Sequence, residues 1–415
     1  MPKTVLFLFR AYNDIDHIVP IAWKVVDSGA SVAFLFVSSD FSYDYRIEFL
    51  VTAGAQKLES KLIRRYFENV RNKIPGHVLK RLIDLALAYT VGRSLLKKNS
   101  VTTIVNEWSG PVGNQMAEFF IRPGRTMGIP IMAFPHGHRI EVNWDMNATA
   151  SDAVKKTGRP PSLAERNLYT WYVVQNGAAK QFGIASAIRE EKLKVLGSAR
   201  YSPEWHRINL QLSCSRTSTL PLSQRFKVAF FLRHWVYHVD RQKCLELLRR
   251  LGGISGLELI IIGHTRGRDA GGLTVKEENT FLEKKNITYI SAGDQSTSLI
   301  SESDVVVAYG TSIAFEALLQ NRVVCNPKFL TSNETIFNGS GVVYDAATIE
   351  DTIAFIYNQM SRTPWVPERP VVQAFLKKHL SDGDDPATIL DKYKALVLGQ
   401  TIDSKELNTR NLSAQ

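Results

Sequence analysis

The stretch DVVVAYGTSIAFEALLQNRVVC, residues 304–325, decides the fold that the sequence predicts. The apolar run at Asp304–Ala308 is typical of a buried strand, Ser312–Gln320 has helical spacing, and Arg322–Cys325 is a second short strand. The turn Tyr309-Gly310-Thr311 joins the first strand to the helix. A strand, a helix and a second strand in this order form the right-handed crossover unit of a parallel sheet.

The same alternation extends in both directions along the chain. The first half contains six further predicted strands: Val5–Phe9, Ser31–Val37, Thr102–Val105, Ile129–Phe134, Trp171–Val174 and Leu193–Leu196. The second half adds three: Val228–Leu232, Leu257–Ile262 and Thr288–Ile290. Most of these runs are apolar without alternation, as in strands covered by helices on both faces. The sequence therefore predicts an α/β protein with two Rossmann-like, doubly wound parallel-sheet domains that face a cleft.

A break in the alternation gives the predicted domain boundaries. Residues 209–226 are rich in serine, threonine and proline, which is the composition of a linker. The linker separates an N-terminal domain, 1–208, from a C-terminal domain, 227–369. Residues 370–396 are predicted to form C-terminal helices that cross back to the first domain, and 397–415 a flexible tail.

The composition of the 415 residues excludes several classes of protein. Hydrophobic residues make up 44% and charged residues 22%, which is typical of a globular chain. No apolar run reaches the ~18 residues of a membrane-spanning helix. Three scattered cysteines form neither a disulfide framework nor a zinc site. We therefore expect a cytoplasmic protein that needs no metal.

Positive charge is concentrated between Lys57 and Lys98. This segment has eleven basic and three acidic residues, a net charge of +8 out of +11 for the whole chain. Such a field implies an anionic partner, either a membrane surface or a nucleic acid. Apolar residues are interleaved with the charges on two helices that Pro75-Gly76 separates, which favours peripheral binding to the anionic inner face of a membrane. Alternatively, those apolar residues face the protein's own core. Nucleic-acid binding is disfavoured because no helix-turn-helix or zinc module is present.

In open α/β sheets the ligand binds beyond the carboxyl ends of the strands. In the first half these ends carry Arg10, Asp14, Glu107, His136 and His138. A histidine beside a glycine at a strand end suits a general base, so His136 is the first candidate and Glu107 the second. Alternatively, Glu107 caps the next helix, Arg10 and Asp14 form a local ion pair, and His138 is inert.

In the second half the sharpest candidate is the turn around Gly310. Glycine permits close backbone approach, Thr311 and Ser312 offer hydroxyls, and the following helix amides attract phosphate. Glu316, one turn further on, is placed to bind ribose hydroxyls. Alternatively, these residues only cap the helix.

Five other cationic or titratable residues follow strands of the second half: Arg233, His234, His264, Arg266 and Arg268. Arginine binds phosphate through two parallel hydrogen bonds, so a diphosphate ligand is predicted. The alternative is that the loop arginines are simply solvated. Neither a dinucleotide-binding glycine motif, a P-loop nor a metal-binding motif is present, so we expect no cofactor and no metal.

Three segments carry a resemblance to a known family. Pro135-His136-Gly137 is similar to the Trp-His-Gly turn of the CDP-glycerol glycerophosphotransferases that build teichoic acid. Leu196–Tyr201 resembles their Gly-x-Pro-Arg-Asn-Asp stretch and adds Arg200 as a cleft residue. Ser303–Ser312 resembles the segment before their donor-site helix. The whole layout resembles the GT-B glycosyltransferases of bacterial surface polysaccharides, including the Kdo-type transferases of capsules.

The resemblance implies a metal-independent transferase. Its C-terminal half would bind a CMP-, UDP- or CDP-activated sugar, and its N-terminal half a lipid-linked or growing glycan of a capsule, O-antigen or lipopolysaccharide. The chain departs from the family at Ala199, Tyr201, Ala308 and Gly310, where the family has proline, asparagine, aspartate and serine. These departures favour sugar transfer over CDP-alditol phosphotransfer. CDP-alditol phosphotransfer, sugar-nucleotide epimerisation and non-catalytic nucleic-acid binding stay as alternatives.

Overall fold

A computed structural model describes residues 3–37, 40–59, 61–109, 115–215, 225–264, 271–290, 296–361 and 363–400. The chain divides into two compact units. Unit 1 consists of residues 1–137, 162–205 and 379–415, and unit 2 of residues 138–161 and 206–378.

Unit 1 is built on a seven-stranded sheet with the order β3-β2-β1-β4-β5-β6-β7. Its strands are β1 (Thr4–Phe9), β2 (Ser31–Phe36), β3 (Gln56–Lys57), β4 (Val101–Glu107), β5 (Ile131–Phe134), β6 (Trp171–Val174) and β7 (Leu193–Val195). All neighbouring pairs are parallel. Every residue of β1 is buried, as expected for a strand covered on both faces.

Unit 2 is built on a six-stranded parallel sheet with the order β10-β9-β8-β11-β12-β13. Its strands are β8 (Phe226–Phe231), β9 (Leu257–Ile262), β10 (Ile287–Ile290), β11 (Val305–Ala308), β12 (Val323–Pro327) and β13 (Tyr344–Ala346). Every residue of β9 is buried. In both sheets the central strands carry the apolar runs, so each unit has its own hydrophobic core.

Sixteen α-helices lie in the described part of the chain. The first eight are α1 (Tyr12–Asp27), α2 (Tyr45–Thr52), α3 (Lys61–Arg65), α4 (His77–Leu87), α5 (Arg93–Lys98), α6 (Gln115–Thr126), α7 (Ala148–Thr157) and α8 (Gly177–Ala185). The others are α9 (Pro203–Cys214), α10 (Arg241–Leu251), α11 (Val275–Leu282), α12 (Ser296–Ser301), α13 (Ile313–Leu319), α14 (Ile349–Gln359), α15 (Arg369–Ser381) and α16 (Ile389–Leu398). None of the described helices is long and apolar enough to cross a membrane.

The boundaries between the two units differ from the domain boundaries that the sequence predicts. Residues 138–161 belong to unit 2 although they lie within the expected first domain. Helix α9 extends to Cys214, so the first part of the expected linker is helical, while 216–224 lies outside the described residues. From residue 379 onward the chain belongs to unit 1. There the Tyr393 hydroxyl donates to the Gly197 carbonyl at 2.9 Å and fixes α16 to this unit.

The basic segment forms two helical stretches, as the sequence predicts. The first begins with α3 and continues through single turns of other helical types to Lys73, and the second runs from α4 to α5. Ile74, Pro75 and Gly76 separate them, because proline and a glycine with φ of +72° interrupt a regular helix. The apolar residues of this segment divide between the two alternatives. Ile63 and Leu96 lie in the core of unit 1, but others are exposed.

Candidate active site

Four of the predicted residues meet at the carboxyl edge of the unit 1 sheet. Glu107 is the last residue of β4, Arg10 follows β1, Asp14 lies in the first turn of α1, and His136 follows β5. Strands β1, β4 and β5 are neighbours in the sheet, so their ends bring these side chains together.

Glu107 and His136 form the centre of this site. The Nδ1 atom of His136 lies 2.5 Å from Oε2 of Glu107, which is fully buried. An ionised carboxylate only accepts hydrogen bonds, so Nδ1 donates to Glu107 and Nε2 is the ring nitrogen that this contact leaves for a ligand. The His136 side chain is 24% exposed and therefore presents this nitrogen to a ligand. The ring of Trp108 lies 6.0 Å from that of His136 and forms one wall.

The Glu107 carboxylate accepts three hydrogen bonds and forms one ion pair. Besides His136, it accepts from the backbone amide and the hydroxyl of Ser109, and Nε of Arg10 lies 2.9 Å from Oε1. Burial opposes its ionisation, but the hydrogen bond from His136 and the charge of Arg10 lower the pKa of Glu107. Glu107 is therefore a charged positioning group, and it does not cap a helix within the described residues. The alternative of a local ion pair between Arg10 and Asp14 is not what the structure has, because the Arg10 side chain pairs with Glu107 and only the Arg10 backbone amide contacts Asp14.

Asp14 is a second buried carboxyl group behind the histidine. Its Oδ2 accepts from the backbone amides of Arg10 and Ala11 at 2.6 and 2.9 Å, and its Oδ1 lies 3.9 Å from Nδ1 of His136. Burial and the neighbouring charge of Glu107 raise the pKa of Asp14 to about 6. One negative charge is thus concentrated on Glu107, while Asp14 keeps its proton up to mildly acidic pH.

We expect Asp14→Asn to gain stability relative to the wild type as the pH rises from 4 to 7. In the folded wild type Asp14 ionises near pH 6, but in the unfolded chain near 4, so its stabilisation is present below pH ~4 and is lost as the pH rises through 6. Asparagine keeps an oxygen that accepts from the amides of Arg10 and Ala11, and it carries no charge. The two-unit shift corresponds to about 3 kcal/mol.

The measurement is the free energy of unfolding of both proteins in denaturant at pH 4, 5, 6 and 7. The difference between the variant and the wild type should grow through this range. A constant difference would show that folding does not raise the pKa of Asp14.

In the described part of the chain, Asp14, Glu107 and His136 form a group that could hold a metal ion. One ligand atom from each of Asp14, Glu107 and His136 lies within 4.8 Å of the others. The guanidinium group of Arg10 already pairs with one oxygen of Glu107, and its positive charge disfavours a cation beside it. The donor set therefore fits proton transfer better than metal binding.

In unit 2 the structure brings Arg233 and Gly310 together. Arg233 follows β8 and Gly310 follows β11, which is the neighbouring strand. A Cβ atom on Gly310 would lie 1.9 Å from Nη1 of Arg233, and φ of Gly310 is +56°, so only glycine fits here. The arginine is 4% exposed and lies over the ring of Tyr237.

Glu141 balances the charge of Arg233. Its Oε1 accepts from Nη2 of Arg233 at 2.5 Å, whereas the buried Nη1 has no hydrogen-bond partner among the described residues. An unpaired N–H of a buried guanidinium group costs free energy, and an anion bound there would satisfy it. Glu141 was not predicted, because nothing in the sequence marks a contact between residues 92 positions apart.

The other predicted donor residues of unit 2 are placed differently. The Nδ1 atom of His234 accepts from the amide of Val236 at 3.2 Å, and the rings of His234 and His264 are 5.3 Å apart. Arg266 and Arg268 lie outside the described residues. The histidines thus contact each other close to the ends of β8 and β9.

The turn after Gly310 brings one hydroxyl to the start of the next helix. Oγ1 of Thr311 accepts from the amide of Ile313 at 3.5 Å, and the side chain of Ser312 makes no capping hydrogen bond. Helix α13 has only seven residues, so its dipole attracts anions weakly. Glu316 is buried, and Thr297 donates a hydrogen bond to it. The positive charge at this edge therefore comes from Arg233 more than from the helix.

Two predicted cleft residues, His138 and Arg200, contact other groups. His138 belongs to unit 2, where its buried ring meets that of Phe315 edge-on at 4.8 Å. Arg200 donates to Asp16 at 2.8 Å, in a buried network in which Arg46 also binds Asp16. Arg200 thus connects the segment after β7 to α1 within unit 1, a contact that its position in the sequence did not reveal.

No family model matches the sequence, and no curated protein matches it significantly. Solved structures match its fold. A UDP-GlcNAc 2-epimerase from Neisseria meningitidis, bound to UDP-GlcNAc, is 12% identical with a TM-score of 0.57, over 95% of this chain and 98% of that one. A UDP-GlcNAc 2-epimerase from Methanocaldococcus jannaschii, in complex with UDP-GlcNAc and UDP, is 12% identical with a TM-score of 0.54, over 95% of this chain and 100% of that one. A glycosyltransferase from Rickettsia africae is 12% identical with a TM-score of 0.53, over 96% of this chain and 100% of that one.

At such identities the likeness shows the fold alone. The two Rossmann-like parallel-sheet domains of the GT-B type, predicted from the sequence, are confirmed. The narrower resemblance to CDP-glycerol glycerophosphotransferases stays a prediction.

Proposed function

We propose that the protein is a glycosyltransferase that moves a sugar from a nucleotide-activated donor to a hydroxyl group of a lipid-linked or growing bacterial surface glycan. The observation that carries this proposal is the hydrogen bond between Glu107 and His136 at the carboxyl edge of the unit 1 sheet. It orients a half-buried imidazole so that its unprotonated nitrogen faces a ligand. The solved structures of similar fold include a glycosyltransferase and enzymes bound to UDP-GlcNAc, which supports a nucleotide-sugar substrate.

The chemistry assigns one function to each unit. Nε2 of His136 removes the proton of the acceptor hydroxyl, whose oxygen forms a bond to the anomeric carbon of the donor sugar. The bond from that carbon to the phosphate oxygen breaks, and its electron pair leaves with the nucleotide. Glu107 stabilises the imidazolium ion, and Arg233 in unit 2 binds the phosphate charge that develops.

The direct test is release of nucleotide from a panel of nucleotide sugars, with and without acceptor glycan. A transferase releases nucleotide only when the acceptor is present and forms a longer glycan. An epimerase converts the sugar without an acceptor, and a CDP-alditol phosphotransferase releases CMP from CDP-alditols. Either of these products would replace the proposed reaction.

We further propose that the basic segment places unit 1 on an anionic membrane surface. Exposed apolar side chains protrude from α4, where Val78 is 73% and Leu82 58% exposed. Among the described residues, Arg65, Lys73 and Lys80 have no carboxylate partner within 4 Å. Apolar side chains surrounded by unpaired cations are typical of helices that bind anionic lipid.

We expect Arg65→Glu with Lys80→Glu to lower binding to anionic vesicles at least ~30-fold, since each cation near anionic lipid contributes about 1 kcal/mol. Arg64 and Arg81 are unsuitable for this test because they already pair with Glu68 and Glu118. Sedimentation with vesicles measures the binding, which ~0.5 M salt should abolish.

The matched control is Lys155→Glu with Lys156→Glu, an equal charge reversal on α7 of unit 2. Equal sedimentation with neutral and anionic vesicles would contradict membrane binding. Salt-sensitive binding to duplex DNA of the same strength would instead favour a nucleic-acid partner.

A further inference from the structure

A cavity of about 220 Å³ opens in unit 1 beyond the ends of β2 and β3. Buried or half-buried apolar side chains form its floor, among them Leu35, Ile63 and Met116. Cationic side chains stand around it: Lys57, Lys61 and Arg64. An apolar floor below a cationic rim matches a molecule with a hydrocarbon part and an anionic head.

The rim cations are available to such an anion. Lys61 is exposed and has no ion-pair partner among the described residues. Lys57 and Arg64 both pair with Asp40, at 3.1 and 3.6 Å, and also with Glu59 and Glu68, at 3.5 and 3.8 Å, in partly exposed arrangements. Such pairs are worth at most ~1 kcal/mol each, so an anion of higher charge competes with these carboxylates, and Lys61 is the rim cation that it meets unpaired. The cavity wall also contains Glu59, which leaves a net positive lining.

We infer that this cavity binds the phosphate head and the first carbons of the lipid that carries the acceptor glycan, an inference that rests on the proposed function. The volume holds about seven groups of water size at ~30 Å³ each, enough for the end of a chain but not for a whole lipid tail. The rest of the tail would extend towards the exposed apolar side chains of the same basic segment.

The position of the cavity limits the acceptor further. In the sheet, β2 is three strand intervals from β5, which His136 follows, or about 14 Å at ~4.8 Å per interval. A hydroxyl on the first sugar of a phosphate-linked glycan lies too close to the phosphate to reach both sites. The hydroxyl at His136 therefore belongs to a sugar further along, so the enzyme extends an existing lipid-linked glycan and does not start one.

The test measures binding of farnesyl phosphate, lysophosphatidic acid, farnesol and inorganic diphosphate by calorimetry. We expect farnesyl phosphate, lysophosphatidic acid or both to bind at least ~10-fold tighter than farnesol and diphosphate. Only these two amphiphiles have a hydrocarbon part for the floor together with an anionic head for the rim. Preference between the two identifies the lipid as an isoprenoid or an acyl chain.

Two variants and one control locate the binding. Lys61→Glu reverses a rim charge, and Met116→Trp fills the floor, so each should weaken amphiphile binding at least ~10-fold. Lys3→Glu is the matched control, since Lys3 is exposed and precedes β1 at the opposite edge of the sheet. If Met116→Trp unfolds the protein, Lys61→Glu still decides the question.

Equal effects of Lys61→Glu and Lys3→Glu, or diphosphate binding as tight as farnesyl phosphate, would overturn the inference. It fails separately from the proposed function. A wild type that transfers sugar but binds no amphiphile loses only this site, whereas one that binds amphiphile at the cavity without transferring sugar loses only the proposed reaction.

With acceptors of defined length, we expect transfer to a lipid phosphate carrying two or more sugars and not to one carrying a single sugar. Equal transfer to both would contradict the distance argument.

Discussion

His136→Asn should lower the rate of sugar transfer ~10²–10⁴-fold and leave the affinity for nucleotide within about twofold of the wild type. Asparagine keeps a polar side chain near Glu107 but offers no basic nitrogen at the position of Nε2. The chemical step therefore loses its base, while Arg233 in unit 2 is untouched. Turnover is measured as acceptor-dependent release of nucleotide, and nucleotide affinity by calorimetry.

The matched control is His238→Asn. His238 is exposed in unit 2 and has φ of +52°, a conformation that asparagine tolerates well. This control should retain wild-type turnover. If His136→Asn also retained most of its activity, His136 would not be the base, and the fully buried Glu107 could not replace it without a rearrangement of the site.

Arg233→Met should lower nucleotide affinity ~10–100-fold and also destabilise the fold by about 3 kcal/mol. The first effect follows from the loss of a charged hydrogen bond to phosphate. The second follows because Glu141, whose side chain is 11% exposed, would be left as a buried charge without its partner.

The double variant Arg233→Met with Glu141→Gln separates these effects. Neutralising Glu141 removes the unpaired charge, so most of the stability should return, as measured by denaturant unfolding. Nucleotide affinity should stay low, because the guanidinium group is still absent. Full recovery of nucleotide affinity in the double variant would show that Arg233 only supports the fold.

The central strands and helices could be predicted because their sequence patterns are strong. Strand Leu257–Ile262 has the bounds that its apolar run indicates, and helix Ile313–Leu319 lies within the predicted Ser312–Gln320. The two-residue strand Gln56–Lys57 has no such pattern and forms only because β2 offers it a partner. Helix α6 continues through Pro123 to Thr126, although a proline favours the end of a helix.

Unit boundaries were harder to predict because they depend on tertiary contacts. Residues 138–161 lie between two predicted strands of the first half, Ile129–Phe134 and Trp171–Val174, which places them in the first domain. In the structure Glu141 of this segment pairs with Arg233 and forms a β-bridge with Thr335 of unit 2. Similarly, the serine-rich composition around Asn209 indicates a linker. Its side chain instead donates to Thr297, which binds Glu316, so packing overrides composition here.

Within the site, the residues at strand ends could be predicted, and the contacts between them could not. The order of parallel strands is enough to bring Glu107 and His136 to one edge. The pairing of Arg10 with Glu107, and the burial that raises the pKa of Asp14, depend on side-chain packing that no sequence pattern encodes. For the same reason Glu316 was assigned to ribose although the fold buries it.

Nucleotide binding is the step on which the proposed function depends most directly. A thermal-shift screen of CMP, CDP, UDP, GDP and their sugars measures it without knowledge of the acceptor. A ligand present at a hundred times its dissociation constant stabilises the folded protein by ~2.7 kcal/mol, which raises the melting temperature by a few degrees. We expect one nucleotide and its sugars to do so in the wild type and in His136→Asn, but not in Arg233→Met with Glu141→Gln. If no nucleotide shifts the melting temperature of the wild type, the protein is not a nucleotide-sugar enzyme.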